Sequence, residues 1–377
     1  ADTIQLDSTS TVIYNRNGNQ TISTQTYGNL SIISPNTAVR TYTLAGNITL
    51  RGNLNVQQTG GFPAILELGI NTITANHSDS LILGPNTRID LSGASNFPDQ
   101  FGFFHLAVTS EVQYEATTVD QTIKVISQTT GETISYGRLD LRGGQTGGYA
   151  KIAAGPLDVN GDLDLGFGGG SNAIINLGNF THTFAGNWND DGGSIINFGQ
   201  STVIFDGDYQ TITAGNFYNV IFSGTGHKTI ATSFNAENDL IIEDGVTVDP
   251  NSVQMTIAGD WQNNGYFTPN SGQNTIFDGG DQTISACNFA DLFISGSGQN
   301  TASGPLHITN ELEINSSFLA MGVITIGGIL DVNGILVTQD SIIIQGNTDI
   351  ANTATFTAGG PIISHGAFDI NNGTFSA

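Results

Sequence analysis

The sequence predicts an all-β fold, a β-solenoid of the parallel β-helix kind, with tandem β-sandwich modules as the alternative. Three observations carry this. Apolar and polar residues alternate over short stretches, as in Leu50 to Val56 (LRGNLNV) and Leu157 to Leu165 (LDVNGDLDL), the period of a strand with one buried face. Turn signals such as Asn-Gly, Asp-Gly and Gly-Gly punctuate these runs about every eight to twelve residues. The same short elements recur in tandem, the mark of a stacked repeat architecture.

The first element reads Gln-Thr-Ile, an aromatic residue five positions on, then an aliphatic one. It occurs at Gln20-Thr21-Ile22 with Tyr27 and Leu30, at Gln210-Thr211-Ile212 with Phe217 and Val220, and at Gln282-Thr283-Ile284 with Phe289 and Leu292; Thr133-Ile134 with Tyr136 and Leu139 is a shortened copy. The second pairs an apolar residue with a Leu six positions later: Ile48/Leu54, Leu157/Leu163, Phe234/Leu240 and Leu306/Leu312. The third is Gly-Asn-Trp or Gly-Asp-Trp, at Gly186-Asn187-Trp188 and Gly259-Asp260-Trp261, followed by Phe205-Asp206-Gly207 and Phe277-Asp278-Gly279. Trp188, Trp261, Phe217, Phe289, Leu54, Leu163, Leu240 and Leu312 are therefore read as the repeat core. The tryptophans are also weighed as a sugar-stacking platform.

Coils of about 20–25 residues, each adding ~4.8 Å, give roughly 15–19 coils and a column about 70–90 Å long. Residues 1–91 are read as an N-terminal cap and first repeat, the cap itself within 1–15. Residues 92–135, rich in Phe, are read as an irregular insertion or hairpin. Residues 136–377 are read as continuous repeats (136–216, 217–288 and 289–377). β-Sandwich modules fit less well, because units of about 70–80 residues fall short of the ~100 a sandwich usually needs.

Composition bounds function. Nine Lys and Arg stand against 33 Asp and Glu, a formal charge of −24. No basic stripe exists to neutralise phosphates, which argues against nucleic acid as a partner. No run reaches the ~18 apolar residues of a membrane span, so no direct membrane insertion is expected. Cys287 is the only cysteine, which leaves packing and backbone pairing to hold the fold. The start at Ala1-Asp2 is read as a chain after signal removal or a piece of a longer one.

The repeats resemble those of long, repetitive surface proteins of Bacteroidota-type bacteria. The match runs from Ala258-Gly259-Asp260-Trp261 through Asn264-Gly265-Tyr266-Phe267, Phe277-Asp278-Gly279 and Gln282-Thr283-Ile284 to Phe289-Ala290-Asp291-Leu292. Residues 184–222 match nearly as well. The resemblance implies an exported surface or filament protein, often an adhesin, and names no catalytic residue. The C-terminal sorting domain usual in that class is not visible after Phe375.

Few residues are arranged for chemistry. Asp190-Asp191, Asp206, Asp208, Asp278 and Asp281 lie beside glycines in turns and are read mainly as solvated turn residues. Asp206, Asp208, Asp278 and Asp281 are the candidate calcium ligands, since calcium takes six to eight oxygens. No catalytic or cofactor-binding residue is assigned. Arg138 and Arg142 flank Asp140 and are read as surface pairs. The histidines (His77, His105, His182, His227, His307, His365) lack metal-ligand spacing and are read as solvent-facing. The Gly-rich string at 166–170 is a turn, and the Thr-x-Thr pairs (Thr41/Thr43, Thr72/Thr74, Thr181/Thr183, Thr211/Thr213) are outward strand residues. Asp2-Thr3-Ile4, Asp79-Ser80-Leu81 and Asp340-Ser341-Ile342 resemble the O-glycosylation triplet of Bacteroidota.

The expected function is a structural or adhesive extracellular protein at a cell surface, not an enzyme, as a filament subunit or stalk segment with a homo-oligomer or surface glycans as partners. The alternative is a carbohydrate-binding or polysaccharide-degrading β-helix protein.

Overall fold

A computed structural model describes residues 6–35, 38–76, 78–143, 148–166, 173–190, 193–213 and 215–377. No helix occurs among them. The chain divides into two compact units, Ala1–Ser201 and Thr202–Ala377. Each is a β-solenoid in which short strands stack in parallel on the strand one coil earlier.

In the first unit one ladder stacks Thr11–Tyr14, Asn29–Ser34, Leu54–Gln58, Ser80–Leu83 and Phe103–Leu106. Another stacks Arg40–Leu44, Ala64–Gly69, Thr87–Leu91, Glu111–Tyr114, Arg138–Leu141, Leu163–Leu165 and Trp188–Asp190. Residues 6–15, expected in the cap, contribute Thr11–Tyr14 as an ordinary coil strand. Residues 92–135 carry three in-register strands, Phe103–Leu106, Glu111–Tyr114 and Gln121–Ile123, and a hairpin-like excursion closed by an antiparallel bridge between Ile126 and Thr133.

The second unit turns through three faces. One runs from Thr202–Phe205 through Leu240–Ile242 and Gln282–Ile284 to Thr374–Ser376, the next begins at Tyr209–Ile212, and the third at Asn216–Phe217. Coil length is less uniform than the sequence suggests. Partners lie 17 residues apart at Thr202 and Asn219 and 23 apart at Trp261 and Ile284; in the first unit the range runs from 18 (Thr11 and Asn29) to 30 (Gln121 and Lys151). Added residues are absorbed at corners, while the faces keep register.

Inward positions form continuous stacks. Leu306, Ile324 and Ile342 lie one above another, as do Ile308, Ile326 and Ile344, and Phe318, Leu336 and Phe356; all are fully or almost fully buried. The Phe205 and Phe222 rings stack at 5.7 Å between centroids. Each buried aliphatic or aromatic side chain contributes about 1.5–3 kcal/mol. Backbone bonds between coils continue through many corners, as from Gly259 N–H to Asn238 O and from Ser297 N–H to Gly279 O, both 3.0 Å, but other corner N–H groups need acceptors. Asn and Asp side chains supply them. Asn219 Oδ1 accepts from Asp239 N–H (3.2 Å), Asp239 Oδ1 from Asp260 N–H (2.9 Å), and Asp260 Oδ1 from Thr283 N–H (2.7 Å). In the first unit Asn29 and Asn53 do the same for Asn53 and Ser80 N–H, both at 2.8 Å. Much of the Asn and Asp content is therefore corner chemistry.

The sequence repeat and the coil are different periods. Gln210 and Gln282, 72 residues apart, lie on different faces of the second unit, as do Phe205 and Phe277. Each pair is separated by eleven strands, which is three coils and two further faces. Three faces of similar width let one strand-and-corner element serve on any of them.

Candidate functional site

The repeat motifs are structural. Trp188 and Trp261 are 0% and 1% exposed, which removes the sugar-platform reading, and Phe217, Phe289, Leu54, Leu163, Leu240 and Leu312 are fully buried. Trp261 packs edge-on against Phe267 at 4.9 Å, and Trp188 against Phe184 at 4.9 Å. A Cβ on the motif glycine would collide with the coil below, 2.2 Å from Gly161 backbone at Gly186 and 2.4 Å from Asn238 at Gly259. The next residue's N–H is taken by Asp162 Oδ1 at Asn187 and Asp239 Oδ1 at Asp260, both at 2.9 Å. Gly, Asn or Asp, and Trp thus supply close approach, corner bond and core filling.

The Gln of Gln-Thr-Ile is buried and ties corners together at Gln210 and Gln282, while Gln20 is half-buried and donates to Arg16 O (3.3 Å). Gln282 Oε1 accepts Gly279 N–H (2.9 Å), while Nε2 donates to Ile257 O (2.9 Å) and Gly259 O (2.6 Å) one coil below. Gln210 Oε1 accepts Gly207 N–H at 2.9 Å. Gln121-Thr122-Ile123 is a further copy, without the aromatic residue five positions on: Gln121 Oε1 accepts Ala116 N–H (2.7 Å) and Nε2 donates to Leu91 O and Gly93 O (both 2.9 Å).

The acidic candidates are also corner residues. Asp208 Oδ1 accepts from Thr225 Oγ1 (2.6 Å), and Asp281 Oδ1 from Gln299 N–H (2.8 Å). Burial raises the Asp278 carboxyl, and Asp206 follows the strand Thr202–Phe205. Among the described residues no group of three or more His, Cys, Asp or Glu is gathered to hold a metal ion. The expectations for His77, Asp191, Asp2-Thr3-Ile4 and residues 167–170 lie outside the described residues.

Asp140 corrects the surface-pair reading. It is 3% exposed and sits in an outward column that runs Glu67, Asp90, Gln113, Asp140, Asp164 and Asn189 on successive coils. Arginines lie over the acids: Arg142 reaches Asp140 at 2.8 Å, Arg138 reaches Asp164 at 2.8 Å, and Arg88 reaches Asp90 at 2.6 Å. Burial pushes Asp90 and Asp140 up to about 6 despite these guanidinium partners, which pull the other way. Perturbed carboxyls are candidates for acid–base work. Here each is held by an arginine within 2.9 Å, so the column acts first as an ion-paired seam.

His182 is the second correction. It is fully buried, with Nδ1 accepting from Leu157 N–H (3.1 Å) and Nε2 3.0 Å from Leu177 O. Nε2 therefore carries the proton, and burial pushes the ring down to about 4.

Among the described residues the two most exposed aromatics are tyrosines, ahead of Phe62, Phe103, Tyr149 and Phe180. Tyr209 and Tyr266 are 81% and 65% exposed, each preceding an inward residue, Gln210 and Phe267. Tyr266 borders a cleft of about 470 Å³ that also involves Thr268, Cys287, Asn288, Pro305 and His307. Cys287 is 7% exposed, and burial pushes its thiol up to about 12. A thiol held protonated is a packing group, not a nucleophile. No protein family, curated protein or solved structure matches this chain.

Proposed function

We propose that the chain is an extracellular structural or adhesive protein of a bacterial surface, a scaffold that holds outward side chains at fixed spacing. The observation that supports this most is the use of its repeated residues. Trp, Gln, Gly, Asn and Asp of the motifs are consumed in stacking one coil on the next, so what the repeats encode is the scaffold itself. Rigid elements position binding residues more exactly than loops do. The charge of −24 keeps such a surface soluble and repels other acidic surfaces. The resemblance of the Gly-Asp-Trp to Phe-Asp-Gly repeats to Bacteroidota surface proteins agrees with export.

An antibody against the chain should label intact, unpermeabilised cells of the source bacterium. Signal confined to permeabilised cells overturns the reading. Sedimentation at rising concentration tests self-association: growth to large species supports a filament subunit, and a constant monomer supports a stalk or display segment.

A further inference from the structure

One outward face of the second unit carries Tyr209, His227, Thr247 and Tyr266 in register on four successive coils. The two tyrosines are three coil steps apart, about 14 Å. Just beyond Tyr266 the ladder breaks. Tyr266–Phe267 ends one sheet, and Cys287–Phe289, one coil on, begins another.

Irregular hydrogen bonds lie next to the break. Asn263 N–H donates to the Ser285 hydroxyl (2.7 Å) instead of a backbone carbonyl, and Gly265 N–H turns back to Asn263 Oδ1 (3.2 Å). Pro269 has no N–H to offer. The gap left is the cleft of about 470 Å³, within the range of small-ligand sites. On its far side Asn288, His307 and Thr325 form the next outward column.

We propose that this tyrosine column and cleft bind a neutral oligosaccharide laid along the stacking direction. The inference goes beyond the scaffold reading and does not depend on it. An exposed phenol ring offers an apolar face to the C–H side of a sugar ring and a hydroxyl to its rim. Asn288, His307, Thr268 and Thr325 supply amide, imidazole and hydroxyl groups that match sugar hydroxyls, and Pro305 and Val323 supply apolar wall. Neutral sugar is favoured because residues 229–377 contain no Lys or Arg, and Lys228 is fully buried, turned inward. The charged groups beside the column include two carboxylates, Asp208, next to Tyr209 in the chain, and Asp249, with Oδ2 3.8 Å from His227 Nε2. An anionic sugar would meet no Lys or Arg of residues 229–377 there.

The test is saturation-transfer difference NMR on the full chain with cellopentaose, maltopentaose and chitopentaose, and with pentagalacturonate as the anionic control. Transfer should reach at least one neutral pentaose and not pentagalacturonate. Tyr266→Ala should weaken that binding at least tenfold with the melting temperature unchanged, and Tyr266→Phe should retain most of it. Tyr209→Ala should weaken the pentaose more than the corresponding disaccharide. Silence with all three neutral probes, binding confined to pentagalacturonate, or binding indifferent to Tyr266→Ala overturns the proposal. None of these results bears on surface labelling of cells, so the two readings fail separately.

Discussion

Lys151 stands one coil above Gln121, and the two side chains divide one corner residue between them. Gln121 accepts the N–H of Ala116, and Lys151 Nζ donates to the Ala116 carbonyl at 2.8 Å. The arrangement recurs in the second unit, where Lys228 lies above Gln210, Gln210 accepts Gly207 N–H and Lys228 donates to Gly207 O. Both lysines are fully buried, and burial pushes Lys151 down to about 8. A buried ammonium is tolerated only with acceptors in place, so these lysines are part of the corner and not surface charge.

The Gln of this corner should be among the most costly polar residues to remove. Gln282→Leu strands Gly279 N–H and deprives Ile257 O and Gly259 O of a donor. A buried unsatisfied group costs about 1–3 kcal/mol, so the variant should lose about 2–4 kcal/mol of unfolding free energy in urea. Thr283→Ala, at the exposed neighbour, should change it by less than about 0.5 kcal/mol. Equal effects from the two substitutions would show that the corner bonds carry no weight.

The third corner lacks the lysine. Above Gln282 stands Asn300, fully buried, with neither end of its amide hydrogen-bonded. The Gly279 carbonyl, at the place a lysine would reach, already accepts Ser297 N–H at 3.0 Å. Asn300→Leu keeps the branching and the number of side-chain heavy atoms and removes both unsatisfied atoms. It should raise stability by about 1–2 kcal/mol, seen as a higher melting temperature; a lower one would mean that the amide has partners.

Alternation and turns were enough to read the fold class and the buried repeat core. The use of Gln282 was not legible, because its partners are backbone carbonyls one coil away and leave no mark in local sequence. His182 was legible in principle. In Thr181–Phe184 it alternates with Phe184 and so faces inward, although its residue type favours solvent. Tyr266 is the converse case: alternation with Phe267 turns it outward, while the repeat motifs single out the tryptophans. Next to the break beside Tyr266, Ser285 meets Asn263 from another coil, and no spacing rule announces that.

Cys287 should react slowly. Its thiol is nearly buried, receives a contact from Asn263 Nδ2 at 3.4 Å, and titrates at about 12, against about 8.5 for a free cysteine. Labelling by a disulfide reagent at pH 7.5 should be at least about a hundredfold slower in the folded chain than in urea. The folded rate should keep rising above pH 9. A folded rate close to that in urea would place the thiol in solvent.

The Asp90–Asp140 seam makes stability depend on pH with an unusual sign. Each carboxyl titrates near 6 in the folded chain against a reference of 3.8, so the folded state holds its proton more tightly than the unfolded state does. Stability from these groups is complete below about pH 3.8 and is lost as pH rises through 6. The displacement is worth on the order of 3 kcal/mol per carboxyl. Asp164, Glu111 and Glu115 on the same face favour protonation, and Arg88 and Arg142 oppose it. Relief of repulsion within a chain of charge −24 works in the same direction. The melting temperature should therefore rise between pH 7 and pH 5. Asp140→Asn carries the neutral form permanently: it should be at least as stable as the parent at pH 7 and show a flatter profile. A parent that loses stability steadily from pH 7 to pH 5 would mean that the arginines, and not burial, set the charge of these two carboxyls.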